Sequence, residues 1–143
     1  MIPDIHYAKT PDGAHIAYQV FGDGPIDVMM ADPAYTSIDW MWRVPAVARF
    51  LGRIGSISRL IIFDPRGVGL SDRVSEDHPP TLESRMGDTL SVMDSSGSER
   101  AVMFGWDSTG PLAILFSTTY PERATALVVY ASFAAGRWST DYP

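Results

Sequence analysis

The sequence predicts an α/β fold in which a mostly parallel sheet is covered by helices. Short apolar runs alternate with segments of helix length, which is the pattern of a parallel sheet with crossover helices. Hydrophobic residues make up 45% and charged residues 20% of the 143 residues, an ordinary balance for a folded domain. No repeat or low-complexity stretch is visible, so we expect a single domain over residues 1–143.

The first two strands are predicted to form an antiparallel hairpin. The segments Ile5–Thr10 and His15–Val20 flank the turn sequence Thr10-Pro-Asp-Gly13. The next strand is Ile26–Ala31, which is apolar apart from Asp27. We expect this third strand to start the parallel part of the sheet.

Two helices and a buried strand are predicted in the middle of the chain. A helix from about Pro45 to Arg53 has one apolar face. That face consists of Val47, Phe50, Leu51 and Ile54. The wholly apolar run Leu60–Phe63 is typical of a strand buried on both faces. Thr81 is predicted to cap a second helix, which ends near Gly97.

The last elements are a strand, a helix and a strand. Ala101–Phe104 is an apolar strand, and Gly105–Gly110 is a tight corner that leads into a helix from Pro111 to about Tyr120. This helix is apolar nearly all round, so we expect it to be deeply buried. Ala126–Ala131 is the last strand. Ligands of such sheets bind beyond the carboxyl ends of the strands. Those ends are Asp32–Ala34, Asp64–Ser71, Trp106–Thr109 and Ala131–Phe133.

Composition and charge exclude several functions. The chain has 11 basic and 17 acidic residues, and the basic residues are scattered, which argues against nucleic-acid binding. It has no cysteine, so disulfides and thiolate sites are ruled out, and its three histidines lie far apart, so we expect no metal and no cofactor. No apolar run is long enough to span a membrane, and Met1–Tyr18 lacks a signal-peptide pattern. We therefore expect a cytoplasmic protein.

The corner after the fifth strand carries the residues with the clearest chemical potential. The segment Phe104–Pro111 joins a buried strand to a helix, the layout of a nucleophile elbow, in which a sharp turn lifts one side chain above the sheet. The apex is Asp107 in one register and Ser108 in the other. Small residues are needed two positions from the apex, because the backbone passes close to its neighbours. If Ser108 were the apex, the bulky Trp106 would stand two positions before it and should clash. If Asp107 is the apex, Gly105 stands there instead, so we favour Asp107.

Four segments carry a resemblance to a known family that covers nearly the whole chain. They are Ile16–Pro25, Arg59–Asp72, Val92–Asp94 and Thr119–Tyr130. Within them, Asp64-x-Arg66-Gly-x-Gly-x-Ser71 and Tyr120-Pro-Glu-Arg123 are fairly specific motifs. They resemble the α/β-hydrolase fold and, more narrowly, the hydrolase-like domains that precede class III adenylate and guanylate cyclase domains in actinobacteria. The resemblance implies the N-terminal part of a three-layer α/β-hydrolase-type sheet, with strand order 1-2-4-3-5-6, the first pair antiparallel and the rest parallel.

The resemblance also implies roles for individual residues. Asp107 stands where the family usually has a nucleophilic serine, which resembles haloalkane dehalogenases and epoxide hydrolases; these form an alkyl-enzyme ester that a His-activated water cleaves. The backbone N–H groups of Ala34 and Ser108 are the implied oxyanion donors, and Asp32 and Trp106 lie at the implied substrate pocket. Asp32 would add negative charge beside a developing oxyanion, which disfavours acyl transfer.

The implied catalytic machinery is incomplete in this chain. The family usually has eight strands, with its acid after the seventh and its histidine after the last, whereas this chain ends after the sixth. His6, His15 and His78 are expected to be ordinary surface residues. We expect a hydrolase of a small ester, epoxide or carbon–halogen substrate that is weak or inactive alone. The apolar edge at the sixth strand predicts a homo-oligomer or a missing C-terminal half.

Each interpretation has a structural alternative. Asp107 serves equally well as a helix cap. Arg66–Asp72 serves as a turn fastener rather than a catalytic loop, and Trp40 and Trp42 serve as core packing rather than as a pocket mouth. The whole chain has an alternative as a non-catalytic domain that binds a small ligand or a partner and, by resemblance, regulates a nucleotide cyclase. Fold alone does not decide between these functions.

Overall fold

Residues 2–31, 37–75 and 77–134, which the computed structural model describes, form a six-stranded sheet with helices. The strands are β1 (His6–Lys9), β2 (His15–Phe21), β3 (Asp27–Ala31), β4 (Arg59–Phe63), β5 (Ala101–Trp106) and β6 (Ala124–Tyr130). The helices are α1 (Ile38–Met41), α2 (Pro45–Gly55), α3 (Leu82–Ser95) and α4 (Gly110–Thr119). A short 3-10 turn, Asp107–Thr109, precedes α4. The prediction did not include α1, whose single turn is too short to show a periodic pattern.

The strand order is β1-β2-β4-β3-β5-β6, as the resemblance implies. β1 and β2 form the predicted antiparallel hairpin, and β3, β4, β5 and β6 pair in parallel. β2 is antiparallel to β4 as well, so β2 alone among the described strands runs against the others. This arrangement confirms the predicted fold class.

The core lies in two layers, one on each face of the sheet. β4 shows the division best, because Leu60 and Ile62 belong to one buried cluster and Ile61 and Phe63 to the other. All four side chains are at most 1% exposed. Complete burial of such a side chain contributes roughly 1.5–3 kcal/mol. The prediction that this strand is buried on both faces is therefore confirmed.

The helices follow the predicted caps but not all of the predicted burial. The Thr81 side chain accepts a hydrogen bond from the backbone N–H of Ser84 (3.2 Å), which starts α3 as predicted. α4 is less buried than predicted: Leu112 and Phe116 are buried, but Ile114 and Leu115 are only partly so. An apolar helix is buried only where neighbours exist, and the described part of the chain covers α4 mainly on the face toward β5, β6 and α3.

The loop after β4 is fastened to two other elements by Arg66. The guanidinium donates to the Asp88 carboxylate of α3 (Nη2–Oδ1 2.5 Å) and to the Asp12 carboxylate of the hairpin turn (Nη1–Oδ2 2.8 Å). The hydrogen bonds that Arg66 donates to Asp88 and Asp12 raise the pKa of Arg66, and Arg66 in turn holds the pKa of Asp12 well below its usual range. These contacts match the interpretation of Arg66–Asp72 as a turn fastener.

The buried Asp64 carboxylate fixes the same loop at its start. Its Oδ1 accepts the backbone N–H of Ile38 (3.0 Å) and its Oδ2 accepts that of Leu70 (2.8 Å). The Ser71 hydroxyl donates to the Asp64 carbonyl (2.6 Å) and accepts the backbone N–H of Ala17 (2.8 Å). β4, α1 and β2 are thereby joined at the carboxyl end of the sheet.

β6 forms one edge of the described sheet, and it is apolar on both faces. Four successive side chains are 39–59% exposed. They are Leu127, Val128, Val129 and Tyr130. The expected apolar edge at the sixth strand is therefore present in residues 124–130. None of the helices described is both long and apolar enough to cross a membrane.

Candidate functional site

The sharpest turn at the carboxyl end of the sheet lies between β5 and α4. Its apex is Asp107, whose φ of 49° lies in the left-handed region. Residues with a Cβ rarely adopt this conformation, which costs roughly 1–2 kcal/mol, although aspartate tolerates it better than most. The N-cap positions of the 3-10 turn and of α4 are Trp106 and Thr109, not Asp107. Asp107 therefore stands at the apex of the turn, and its role as a nucleophile or as a cap stays a prediction.

Close packing of strand on helix explains the glycine two positions before the apex. A Cβ on Gly105 would lie 2.7 Å from the Cα of Gly110 and 2.8 Å from the Cβ of Ala113. Real Cβ atoms do not approach neighbours this closely, so only glycine fits without moving the helix. The close contact confirms the physical reason for which small residues were expected near the apex.

Thr109 fastens the turn from within, a role that sequence reasoning did not assign. Its hydroxyl donates to the carbonyl of Trp106 (2.8 Å) and accepts the backbone N–H of the same residue (3.1 Å). Both polar groups of the residue that precedes Asp107 are therefore held by one side chain. Its position two residues after the apex was the available signal, because a hydroxyl there reaches back to the end of the strand.

Trp106 is held by packing and by one hydrogen bond. Its indole Nε1 donates to the carbonyl of Ala31, the last residue of β3 (3.2 Å), and its ring stacks on Phe50 of α2 with centroids 6.0 Å apart. Trp106 therefore ties the ends of β3 and β5 together, next to Asp107. Its predicted place at a substrate pocket stays a prediction.

Of the other predicted site residues, the structure describes Ser108 but not Asp32 or Ala34. Ser108 is exposed and follows Asp107 in the 3-10 turn. Asp32 and Ala34 lie outside the described residues, so their predicted roles at the oxyanion site stay predictions. β3, which precedes them, pairs with β5 through Met30 and Phe104, so the carboxyl ends of the two strands are adjacent.

Ser132 contacts the apex from the loop after β6. Its hydroxyl donates to the backbone carbonyl of Asp107. Sequence reasoning singled out 131–133 only as a strand end and gave Ser132 no role. The contact joins residues 25 positions apart, so it becomes visible only when β5 and β6 are paired.

The space beneath the turn is too small for a substrate. An apolar cavity of about 10 Å³ lies there, which is close to the minimum for a single water molecule. Its lining includes Met29, Phe63, Met103 and Leu112. Among the described residues, this cavity leaves no room for a ligand beneath the turn.

The described histidines are used elsewhere or lie in a distant element. His15 lies at the same end of the sheet as Asp107, but its Nδ1 is 3.1 Å from Oδ2 of Asp72. His15 belongs to β2 and Asp107 follows β5, three strand positions away, or roughly 14 Å at about 4.8 Å per strand. His6 packs on Tyr18 in the hairpin, and His78 lies exposed in the loop before α3. In the described ranges, no three His, Asp or Glu side chains are grouped as in a metal site.

Trp40 and Trp42 differ in their surroundings. The indole N–H of Trp42 donates to the side-chain carbonyl of the buried Gln19 (2.9 Å), and its ring packs on Phe21. Trp40 is 53% exposed, with the Arg43 guanidinium 5.5 Å from its ring centroid. The packing alternative therefore fits Trp42, whereas Trp40 lies on the surface.

Comparison by sequence finds epoxide hydrolases among the relatives. Epoxide hydrolase B of Mycobacterium tuberculosis (strain H37Rv) is 29% identical over 120 residues, which is 84% of this chain and 32% of that protein. Epoxide hydrolase 4 of Mus musculus is 27% identical over 124 residues, which is 86% of this chain and 33% of that protein. The chain thus spans about a third of the length of these relatives. No family model matches the chain.

Comparison by structure finds hydrolases among the matching proteins. The esterase RhEst1 from Rhodococcus sp. ECU1013 matches with a TM-score of 0.74 and 25% identity, over 91% of this chain and 46% of that one. A hydrolase from Pseudomonas aeruginosa PA01 matches with a TM-score of 0.76 and 24% identity, over 90% of this chain and 46% of that one.

Proposed function

We propose that the chain is the nucleophile-bearing part of an α/β-hydrolase-type enzyme for a small epoxide, ester or carbon–halogen substrate, with Asp107 as the nucleophile. The observation that carries this proposal is the left-handed conformation of Asp107 at the apex of the β5–α4 turn. Residues held in such strained conformations cluster at functional sites. The names of the epoxide hydrolase relatives support the substrate class.

The chemistry of the first step follows from the position of a carboxylate before a helix. The N-terminal N–H groups of a helix favour negative charge, and an ionised carboxylate is the nucleophilic form. In an epoxide, a carboxylate oxygen of Asp107 attacks a ring carbon, the ring C–O bond breaks, and the alkoxide takes a proton from solvent. The product is an ester between enzyme and substrate. For esters, we propose the N–H groups of Ser108 and Ala34 as oxyanion donors and Asp32 and Trp106 as the pocket wall.

The second step needs a base that the described residues do not supply to Asp107. Hydrolysis of the ester requires a water activated by a general base such as histidine. His15 is engaged with Asp72, and the apolar β6 edge stands open to further structure. We propose that a C-terminal half or a second copy covers β6 in the working protein, and that the chain alone stops at the ester. A cytoplasmic location stays a prediction from the sequence.

A second candidate is a non-catalytic domain of the same fold that binds a small ligand or a partner and regulates a nucleotide cyclase. The observation that favours it is that His15 pairs with Asp72 and His6 packs on Tyr18, so neither of these described histidines is placed to act as a base for Asp107. In this case Asp107 has no covalent role, and the chain forms no ester.

Covalent labelling distinguishes the two candidates. The chain is incubated with styrene oxide, and its mass and the modified peptide are measured by mass spectrometry. We expect one adduct of the mass of the epoxide, located on Asp107, which accumulates because the ester is not cleaved. Asp107→Asn should abolish the adduct.

The control is Asp94→Asn. This variant removes an exposed carboxylate at the C-terminal end of α3, where it pairs with Arg123. We expect this variant to be labelled on Asp107 as fast as the original chain. A chain labelled equally on Asp94 and Asp107, or not labelled on Asp107 at all, would contradict the nucleophile proposal and favour the non-catalytic one.

A further inference from the structure

We infer that Ser132 is a positioning residue that holds the backbone of Asp107 in its left-handed conformation; this inference rests on the proposed function of Asp107 as the nucleophile. The hydroxyl of Ser132 donates to the carbonyl of Asp107. A carbonyl that is fixed in direction fixes the rotation of its own peptide plane. Because Thr109 holds the carbonyl of Trp106 in the peptide plane before the same Cα, the two planes together fix φ and ψ of Asp107 and hence the direction in which its side chain leaves the backbone.

The residue before Ser132 is strained in the same way as Asp107. Within the described ranges, Asp107 (φ 49°) and Ala131 (φ 47°) are the residues other than glycine with positive φ. Alanine gains nothing from this conformation, which costs roughly 1–2 kcal/mol. The conformation of Ala131 turns the chain directly after β6, and the residue that follows contacts the apex. The two strained residues are therefore linked through one hydrogen bond.

The first residue of α4 leaves room for this contact. A Cβ on Gly110 would lie 2.7 Å from the Cβ of Ser132 and 3.2 Å from the carbonyl oxygen of Phe133. Only glycine allows the loop after β6 to approach the start of α4 this closely. The absence of a side chain at Gly110 therefore allows the hydroxyl of Ser132 to reach the carbonyl of Asp107.

Together, Ser132 and Thr109 hold the backbone on both sides of the apex. Thr109 binds the N–H and the carbonyl of Trp106, which precedes the apex, and Ser132 binds the carbonyl of Asp107 itself. Pairing of Trp106 with Tyr130 in the β5–β6 ladder sets the distance between the two loops. The geometry of the proposed nucleophile thus depends on β6 being in its correct register.

The first test measures the rate at which styrene oxide labels Asp107 in Ser132→Ala. We expect labelling to slow about tenfold or more, with an unchanged epoxide concentration at half-saturation, because a displaced nucleophile loses reactivity more than it loses binding. The matched control is Ser117→Ala, which removes a hydroxyl that donates to the carbonyl of Ala113 within α4 (2.8 Å). This control should label at the original rate.

The second test does not depend on labelling. The ¹³Cα and ¹³Cβ chemical shifts of Asp107 report its backbone conformation, and we expect Ser132→Ala to move them away from left-handed values while Ser117→Ala leaves them unchanged. If the original chain is not labelled, the nucleophile proposal fails, and the chemical shifts still decide the role of Ser132. Unchanged shifts in Ser132→Ala would overturn the inference, whatever its labelling rate.

Discussion

The two edges of the sheet are built differently. In β1, Ala8 is fully buried, whereas His6, Tyr7 and Lys9 are exposed, so this strand has polar groups and an exposed aromatic ring where it meets solvent. In β6, apolar residues are exposed on both faces without alternation. Lysine and polar side chains are typical of a strand that ends a sheet, and continuous apolar residues are typical of one inside a sheet. β1 therefore has the composition of a true edge, and β6 that of an interior strand.

The ion pairs near the two edges also differ. At the hairpin edge, Arg66 is paired with Asp88, whose side chain is 1% exposed. Near the start of β6, Arg123 is paired with Asp94, whose side chain is 68% exposed. Burial makes the loss of a partner costly, because the remaining charge cannot be solvated. Loss of the Arg66–Asp88 pair should therefore destabilise the fold more than loss of the Arg123–Asp94 pair.

We expect the largest effect on stability when the arginine of each ion pair is removed in turn. Arg66→Met leaves the Asp88 carboxylate buried without its partner and should lower the free energy of unfolding by about 3 kcal/mol. Arg123→Met, the matched change near β6, should lower it by about 1 kcal/mol or less, because its carboxylate partner stays in water. Urea unfolding of both variants measures the two values. Equal losses would show that the two fastenings do not differ in strength.

The next effect concerns association through the apolar edge. Tyr130 of β6 and Tyr7 of β1 have similar exposure, 59% and 54%, and so form a matched pair. If a second copy covers β6, Tyr130→Lys should raise the dissociation constant of the assembly about tenfold or more, because a lysine opposes edge pairing, whereas Tyr7→Lys should leave it unchanged. Sedimentation velocity at several concentrations measures both. A chain that stays monomeric would assign the cover of β6 to a C-terminal half instead.

The smallest effect is the acid sensitivity of the hairpin turn. The pKa of Asp12 is lowered from its usual value of 3.8 by the hydrogen bond from Arg66. A carboxyl with a lowered pKa stabilises the folded state above its unfolded pKa, and this contribution is lost as the pH falls below about 4. Because Asp12 is largely exposed, the contribution should stay below about 1 kcal/mol.

Unfolding measured between pH 5 and pH 2.5 tests this expectation. Asp12→Asn should be less stable than the original chain at pH 5, and the difference should shrink toward the lower pH. In the Arg66→Met background the pH-dependent effect of the same substitution should be smaller, because only the hydrogen bonds from Thr10 and the backbone of Ala14 then lower the pKa of Asp12. A difference in stability that grows as the pH falls would contradict this expectation.

The sheet could be predicted well because its signals are local. The apolar run at β4, the turn at Thr10–Gly13 and the cap at Thr81 each depend on neighbouring residues. The strand order came from the resemblance rather than from periodicity. The burial of α4 was overestimated, since apolar residues indicate that a helix can be buried but not which neighbours surround it.

For the candidate site, the sequence indicated the residue at the apex of the turn but not the contacts that hold it, and the role of that residue stays a prediction. Asp107 follows from the strand–turn–helix sequence and from the requirement for a small residue at position 105. Ser132 does not follow, because its contact requires the β5–β6 pairing and the left-handed conformation of Ala131. Thr109 was missed for a different reason: its role depends on a hydroxyl that folds back on the backbone, which composition does not reveal.

The left-handed conformation of Asp107 has an evolutionary consequence. Glycine adopts this conformation without a steric penalty, so Asp107→Gly should raise the stability of the fold by about 1 kcal/mol while it removes the carboxylate. In a population that needs only a stable scaffold, mutation would carry this position toward glycine or asparagine. Related chains with glycine or asparagine at this position would show that the fold needs no charge there, and related chains that keep the aspartate would show that the charge is used.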